Sequence, residues 1–216
     1  MDPRPEAEEN LRVIRSLMER ATVYRAISAP TALVAGLLSL FAALAVYFND
    51  TIGLNLGHHV GAREFATIWL VVLVLALAAN TFFVWREAKK GGRPFVSSGM
   101  KLALRTIAPT LLLPAAFTGW FFATGYLGGQ DLELIVVWIL FYGLALLSTA
   151  LFAPGSLVLL GWAFLLSGLA IPVFVNGLED LTDNLPNSAM GFTFGVYHLV
   201  YAICTWPRKG KQPGDE

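Results

Sequence analysis

His198 is the ionisable side chain set deepest in an apolar stretch, GFTFGVYHLVY (Gly191–Tyr201). An imidazole there can act as a general base, a metal or haem ligand, or a proton-linked group in a carrier. It stands about 12 Å above the end of its apolar run at 1.5 Å per residue. A polar group at that depth in hydrocarbon is costly, so it calls for a partner or a water-filled cavity. The same depth count along the other apolar runs nominates Ser39, Thr110, Tyr142 and Ser167, with Asn80 one turn nearer the cytoplasm. The expectation is a buried polar layer that unites His198 with several of these. Two uses stay open for it: a structural hydrogen bond of a neutral imidazole, or a ligand or proton-linked site. A third, with Ser167 as nucleophile and His198 as base, is an intramembrane hydrolase.

The other motifs argue for less. Gly191 and Gly195 share a helical side with His198, Ala202 and Thr205, and small residues four apart let helix backbones approach closely in lipid. That seam serves one bundle or two copies of the chain equally well. Haem needs axial ligands, and His198 has no second histidine in the membrane. His58 and His59, with Glu64 nearby, are too few to define a metal site, so neither metal nor cofactor is expected. No carboxylate lies deep in an apolar run, and no nucleotide-binding glycine motif is present. The acidic loop Gly177–Asn184 lacks the regular spacing of a calcium loop. The segment from Arg86 to Arg105, which includes Lys89, Lys90 and Arg93, is strongly basic. It suits contact with anionic lipid or a partner protein.

The elements that must position these residues are helices in a membrane. Charged residues make up 14% of the 216-residue chain and hydrophobic ones 56%, whereas a soluble domain carries about a quarter charged residues. Six apolar runs account for the difference: about 30–49, 64–85, 102–127, 132–152, 156–175 and 188–206. Each is near the 17–25 residues that a helix needs to cross the hydrocarbon core. Continuous runs rather than short alternating ones exclude a barrel. Pro109, Pro114 and Pro172 predict kinks without breaks. Trp69, Trp85, Trp120, Trp138, Trp206, Tyr47 and Tyr126 are placed as an interfacial belt. With the amino terminus inside, all fifteen lysines and arginines except Arg63 lie on the cytoplasmic side, a strong positive-inside bias. Both termini inside requires an even number of spans, in agreement with six. The tight turns Ala153–Gly155 and Gly128–Asp131 predict antiparallel neighbours for the fourth and fifth spans and for the third and fourth.

Ahead of the first span, Leu11, Ile14, Met18 and Ala21 recur at helical spacing opposite Arg12, Arg15, Glu19 and Arg20. That is the pattern of an amphipathic helix lying on the membrane surface. It is expected to start at Asn10, after an unstructured lead-in, with Glu8–Arg12 and Arg15–Glu19 able to pair along it. The charged segment before the first apolar run does not fit a secretory signal, so that span is expected to stay in the mature protein. The single cysteine, Cys204, excludes an internal disulfide. The formal net charge of zero points to neither nucleic acid nor an acidic substrate. The expected organisation is all-α: a lead-in and interfacial helix over 1–29, a six-helix membrane domain over 30–206, and a cytoplasmic tail over 207–216.

LRVIRSLMERATVYRAIS, LVLLGWAFLLSGLAIP and MGFTFGVYHLVYAI resemble the opening and the last two spans of a family of uncharacterised bacterial multi-pass proteins. That family begins with a Met-Glu-Arg amphipathic helix and ends in a Phe-Gly-x-x-His pattern, here Phe194, Gly195, His198 and Tyr201. The resemblance implies a bacterial inner-membrane protein whose activity is not established. Six spans with a histidine on the last also resemble rhomboid intramembrane proteases. However, Leu165 and Leu166 precede Ser167 where the rhomboid motif opens on glycine, and the serine is on a different span. The leading expectation is therefore a non-enzymatic sensor or accessory module that relays a membrane-level signal to a cytosolic or membrane partner. A second copy of the chain is another candidate partner. The rivals are a carrier that uses the layer around His198 and, remotely, the Ser167–His198 hydrolase.

Overall fold

A computed structural model describes residues 8, 9, 11–13, 28–52, 60–92, 95, 96, 98–124, 131–151, 153–175 and 185–206. Among them there is no strand. The helices described from residue 28 onward are α1 (Ala29–Ile52), α2 (Ala62–Lys90), α3 (Ser98–Thr124), α4 (Asp131–Leu147), α5 (Gly155–Val175) and α6. The last of these has three sections, Leu185–Met190, Gly191–Tyr197 and His198–Thr205, of which the middle one is π-helical. Four helices, α1, α2, α3 and α5, are long and apolar enough to cross a membrane, and the protein is a multi-pass membrane protein.

The elements match the six apolar runs closely, with one correction. The fourth run was expected to reach Phe152, but α4 ends at Leu147. Ser148 and Thr149 turn their hydroxyls onto the carbonyls of Ala145 and Leu146, both at 2.7 Å. The backbone tightens to three-residue bonds there, with Thr149 N donating to Leu146 O and Ala150 N to Leu147 O. A helix of 17 residues measures about 25 Å, shorter than a hydrocarbon core of about 30 Å. Pro109 and Pro114 sit inside a continuous α3, and Pro172 inside α5.

Helical structure near the amino terminus already includes Glu8 and Glu9, ahead of the expected start. Arg12 pairs with Glu9 at 3.8 Å rather than with Glu8. The remainder of the amphipathic segment, including Arg15, Glu19 and Arg20, lies outside the described residues, as do His58, His59, Arg93 and the acidic loop.

Glycine dictates how the helices meet. A Cβ on Gly143 of α4 would sit 2.8 Å from the backbone nitrogen of Leu165 and 2.9 Å from the carbonyl oxygen of Gly161, both on α5. One on Gly168 would meet Leu140 at 2.7 Å. These pairings run in opposite directions along the two helices, so α4 and α5 are antiparallel, and theirs is the most extensive helix contact. The pairing of α1 with α6 follows the same rule. Gly36 faces Leu199 and the Gly195 carbonyl, Gly195 faces Leu40, and Gly191 faces Ala43. The glycine seam on α6 therefore closes against α1 within one chain. Because α1 and α6 are antiparallel, the start of α1 and the end of α6 share one end of the bundle, here called the terminal face.

Helices α1, α4, α5 and α6 form the packed interior; α2 leans on α1, and α3 on α4. Both outer helices are buried only near the face opposite the termini. Phe65, Ala66 and Trp69 are buried on α2, and Pro114, Thr118 and Phe121 on α3. Arg63 at the start of α2 lies over the Phe122 ring of α3, 5.7 Å from its centroid. Towards the terminal face, no described side chain from Leu70 to Lys90 or from Met100 to Leu113 is buried. The aromatic belt is smaller than expected. Trp85, Trp120, Trp206 and Tyr47 are exposed, but Trp69 belongs to the core and Trp138 is partly buried against it. Tyr126 lies outside the described residues.

Candidate functional site: an aromatic layer around His198

The π-helical section of α6 sets the site's geometry. In it each carbonyl is offered five residues ahead instead of four, which widens the winding and commonly marks functional positions. The small stripe expected along one side of α6 is thereby divided. Gly191, Gly195 and Leu199 face α1, while Phe194, Tyr197 and His198 face α4 and α5.

Phe164 of α5, fully buried, stands at the centre of this second side. Its ring centroid is 4.7 Å from that of Tyr142, 5.0 Å from Phe194, 5.5 Å from Tyr197 and 5.6 Å from His198. The His198 ring lies nearly parallel to Phe194, at 11° and 6.2 Å. Edge-to-face and offset contacts of this kind add about 0.5–1.5 kcal/mol per pair beyond burial.

Two hydrogen bonds tie the layer together. Nε2 of His198 is 2.8 Å from the Tyr142 hydroxyl, which joins α6 to α4. Ser167 Oγ donates to the Ala163 carbonyl at 2.8 Å and lies 2.7 Å from the Tyr197 hydroxyl, which joins α5 to α6. Nδ1 is buried and completes no hydrogen bond. The Tyr142 O–H donates to Nε2 when the proton of the neutral ring sits on Nδ1, and accepts from it when the proton sits on Nε2. His198 is thus a buried, singly hydrogen-bonded imidazole in an aromatic enclosure.

Of the residues nominated for the layer, the structure brings Tyr142 and His198 into direct contact and places Ser167 beside them through Tyr197. No hydrogen bond among the described residues joins the others to them. Thr110 bonds the Ile107 carbonyl of its own helix at 2.6 Å. Asn80 lies on the terminal half of α2, with a buried Oδ1 that has no hydrogen-bond partner. Ser39 is buried in α1, next in sequence to the Leu40 that meets Gly195. The serine–histidine pair needed by a hydrolase is not formed: Ser167 is engaged with Ala163 and Tyr197, and Nε2 of His198 with Tyr142. Among the described residues, no three His, Cys, Asp or Glu side chains gather as a metal site.

Comparison with protein-family models, with curated proteins and with solved structures found no match to this chain.

Several residues that shape the site do not stand out along the chain. Phe164 and Tyr197 read as ordinary apolar or interfacial positions. Thr118 rather than Thr110 links α3 to its neighbour: it accepts from Trp138 Nε1 at 2.9 Å and donates to the Pro114 carbonyl at 2.6 Å. Asn187 donates from Nδ2 to the Ala43 carbonyl at 2.8 Å, pinning the start of α6 to α1. Its Oδ1 and the Trp69 indole N–H are both buried without a partner. A signal existed for Asn187, an amide at the mouth of an apolar run. For Phe164 the usable signal was Gly161 and Gly168 on either side, two full turns apart.

Proposed function

We propose that the protein is a six-span bacterial inner-membrane module, with both termini cytoplasmic, that performs no chemistry itself. Its role is to relay a membrane-level signal to a cytosolic or membrane protein partner. The observation that carries this reading is the closure of the layer at His198. The imidazole is enclosed by Phe164, Phe194 and Tyr142 and engaged by a tyrosine hydroxyl, which makes it a structural latch between α4 and α6. The terminal halves of α2 and α3, by contrast, keep their surfaces available. The antiparallel pairing of α1 with α6 supports termini on one side, and the distribution of lysine and arginine supports the cytoplasm as that side. The helical, exposed segment at Leu11–Val13 and the helical spacing of Leu11, Ile14, Met18 and Ala21 support a surface helix with an apolar side for lipid.

The test is affinity capture of the full-length protein from native membranes, across growth conditions, after crosslinking at α2 and α3. The module reading expects one recurrent protein partner. Recovery of no partner under any condition counts against it. A carrier is the second reading, favoured by the buried unpaired atoms His198 Nδ1, Asn187 Oδ1 and Asn80 Oδ1. Buried polar atoms of this kind often hold an ordered water or a polar ligand. That reading expects pH-dependent uptake into proteoliposomes which is lost on His198→Phe.

A further inference from the structure

The terminal halves of α2 and α3 combine two surfaces that lipids recognise together. On α2, the exposed Phe82 and Trp85 are followed by Arg86, Lys89 and Lys90, all exposed. Lys89 Nζ lies 5.2 Å from the Trp85 ring centroid, so the cation is held at the edge of the apolar surface. On α3, the exposed Lys101 and Arg105 are four apart and share a helical side. The exposed Leu111, Leu112 and Leu113 follow deeper in the bundle. Phe95 and Val96, in the connection between the two helices, are exposed as well. Glu87 is the one acid among the described residues of these two halves. Each helix thus presents cations at its end and a mainly apolar stem behind them, in which the hydroxyls of Thr81, Thr106 and Thr110 are turned onto carbonyls of their own helix.

From this arrangement we infer that the terminal halves of α2 and α3 form a binding site for an anionic phospholipid of the cytoplasmic leaflet. Its phosphate is held by Arg86, Lys89, Lys90, Lys101 and Arg105, and its acyl chains lie along the exposed apolar stems. A soluble phosphate ester matches the cations but has no use for the apolar stem. A zwitterionic lipid matches the stem but leaves the excess positive charge unanswered. An anionic lipid answers both. The leaflet assignment rests on the cytoplasmic placement of the terminal face proposed above; the lipid chemistry does not.

The test uses the full-length protein reconstituted into phosphatidylcholine vesicles, with chain-brominated phosphatidylglycerol or chain-brominated phosphatidylcholine as the quenching probe. The difference between the wild type and Trp85→Phe isolates the signal of Trp85. The expected result is half-quenching at about tenfold less brominated phosphatidylglycerol than phosphatidylcholine. That preference shrinks towards twofold at high salt and in the combined Arg86→Gln, Lys89→Gln, Lys90→Gln variant. It is unchanged in Arg63→Gln at the opposite face. Equal quenching by the two lipids overturns the proposal, as does a preference indifferent to both salt and neutralisation. Absence of quenching by either lipid, with crosslinked dimers, also overturns it, because a second copy then covers the surface. Should the triple variant fail to insert, the salt titration of the wild type decides alone. Labelling of Lys89→Cys in a Cys204→Ser background, with a membrane-impermeant maleimide on intact and lysed cells, reports the sidedness separately. A cytoplasmic label without lipid preference sinks the lipid site only, whereas an external label sinks the orientation and the leaflet assignment.

Discussion

The layer around Phe164 and the terminal half of α2 are built from similarly apolar sequence, yet one is the tightest part of the molecule and the other buries no described side chain. The difference lies in small residues and polar pairs. Where helices close on one another, Gly36, Gly143, Gly161, Gly168, Gly191 and Gly195 admit a neighbour's backbone or side chain. Tyr142–His198 and Ser167–Tyr197 then fasten the approach. Helix α2 has no glycine, and from Leu70 to Leu77 it carries large aliphatic side chains on nearly every side. Lipid tails are as apolar as leucine, so hydrophobicity alone gives helices no reason to associate in a membrane. Apolarity brings both regions into the bilayer, and side-chain size decides which of them packs.

Six substitutions probe this contrast, each read as the change in unfolding free energy in mixed micelles. Phe164→Ala, which empties the centre of the aromatic layer, is expected to cost about 4 kcal/mol. A loss below about 1 kcal/mol would mean that the layer does not hold the core. Gly143→Val places methyl groups where backbone atoms of α5 already stand and is expected to cost about 3 kcal/mol. The same change at Gly119, whose Cβ would meet nothing within 4 Å, is expected to cost much less, and equal costs would remove the close-approach argument. Tyr142→Phe deletes one buried hydrogen bond and is expected to cost about 1 kcal/mol. A double-mutant cycle with His198→Phe should give a coupling of about 0.6–1.7 kcal/mol, the range found between membrane helices; additive costs would dissolve the latch. At the small end, Leu75→Ala on α2 is expected to change stability by less than about 0.5 kcal/mol. A larger loss would show that α2 has a protein neighbour.

Much of the fold was legible along the chain, because a helix's need to span hydrocarbon is a local property of length and polarity. The six runs correspond to α1 through α6, and the turn at Pro154 foretold the α4–α5 pair. The errors about which residues meet inside the bundle were of one kind. Trp69 and Trp138 were placed in an interfacial belt by their distance along a helix, but direction around the helix decides burial, and both point inward. Thr110 and Thr118 are two turns apart on α3; depth counting selected the first, whereas a partner on α4 selected the second. The layer at His198 was half legible. Tyr142 lay at the right depth, and so did Ser167, but the serine's partner proved to be Tyr197. That tyrosine is turned towards α5 by the π-helical section, which depth counting with a straight α-helix does not contain.

By itself, the amino-acid sequence determined that this protein is a helical membrane protein, roughly where its helices begin and end, and that His198 needs a partner at its depth. Those follow from transfer free energies and backbone hydrogen bonding, which act on each segment separately. Only the tertiary structure decided that Tyr142 is that partner, that Gly191 and Gly195 close on α1, and that α2 and α3 stand apart on their terminal halves. Those depend on rotation, winding and close approach between segments distant in the chain, and a shift of one residue around a helix changes every neighbour it meets.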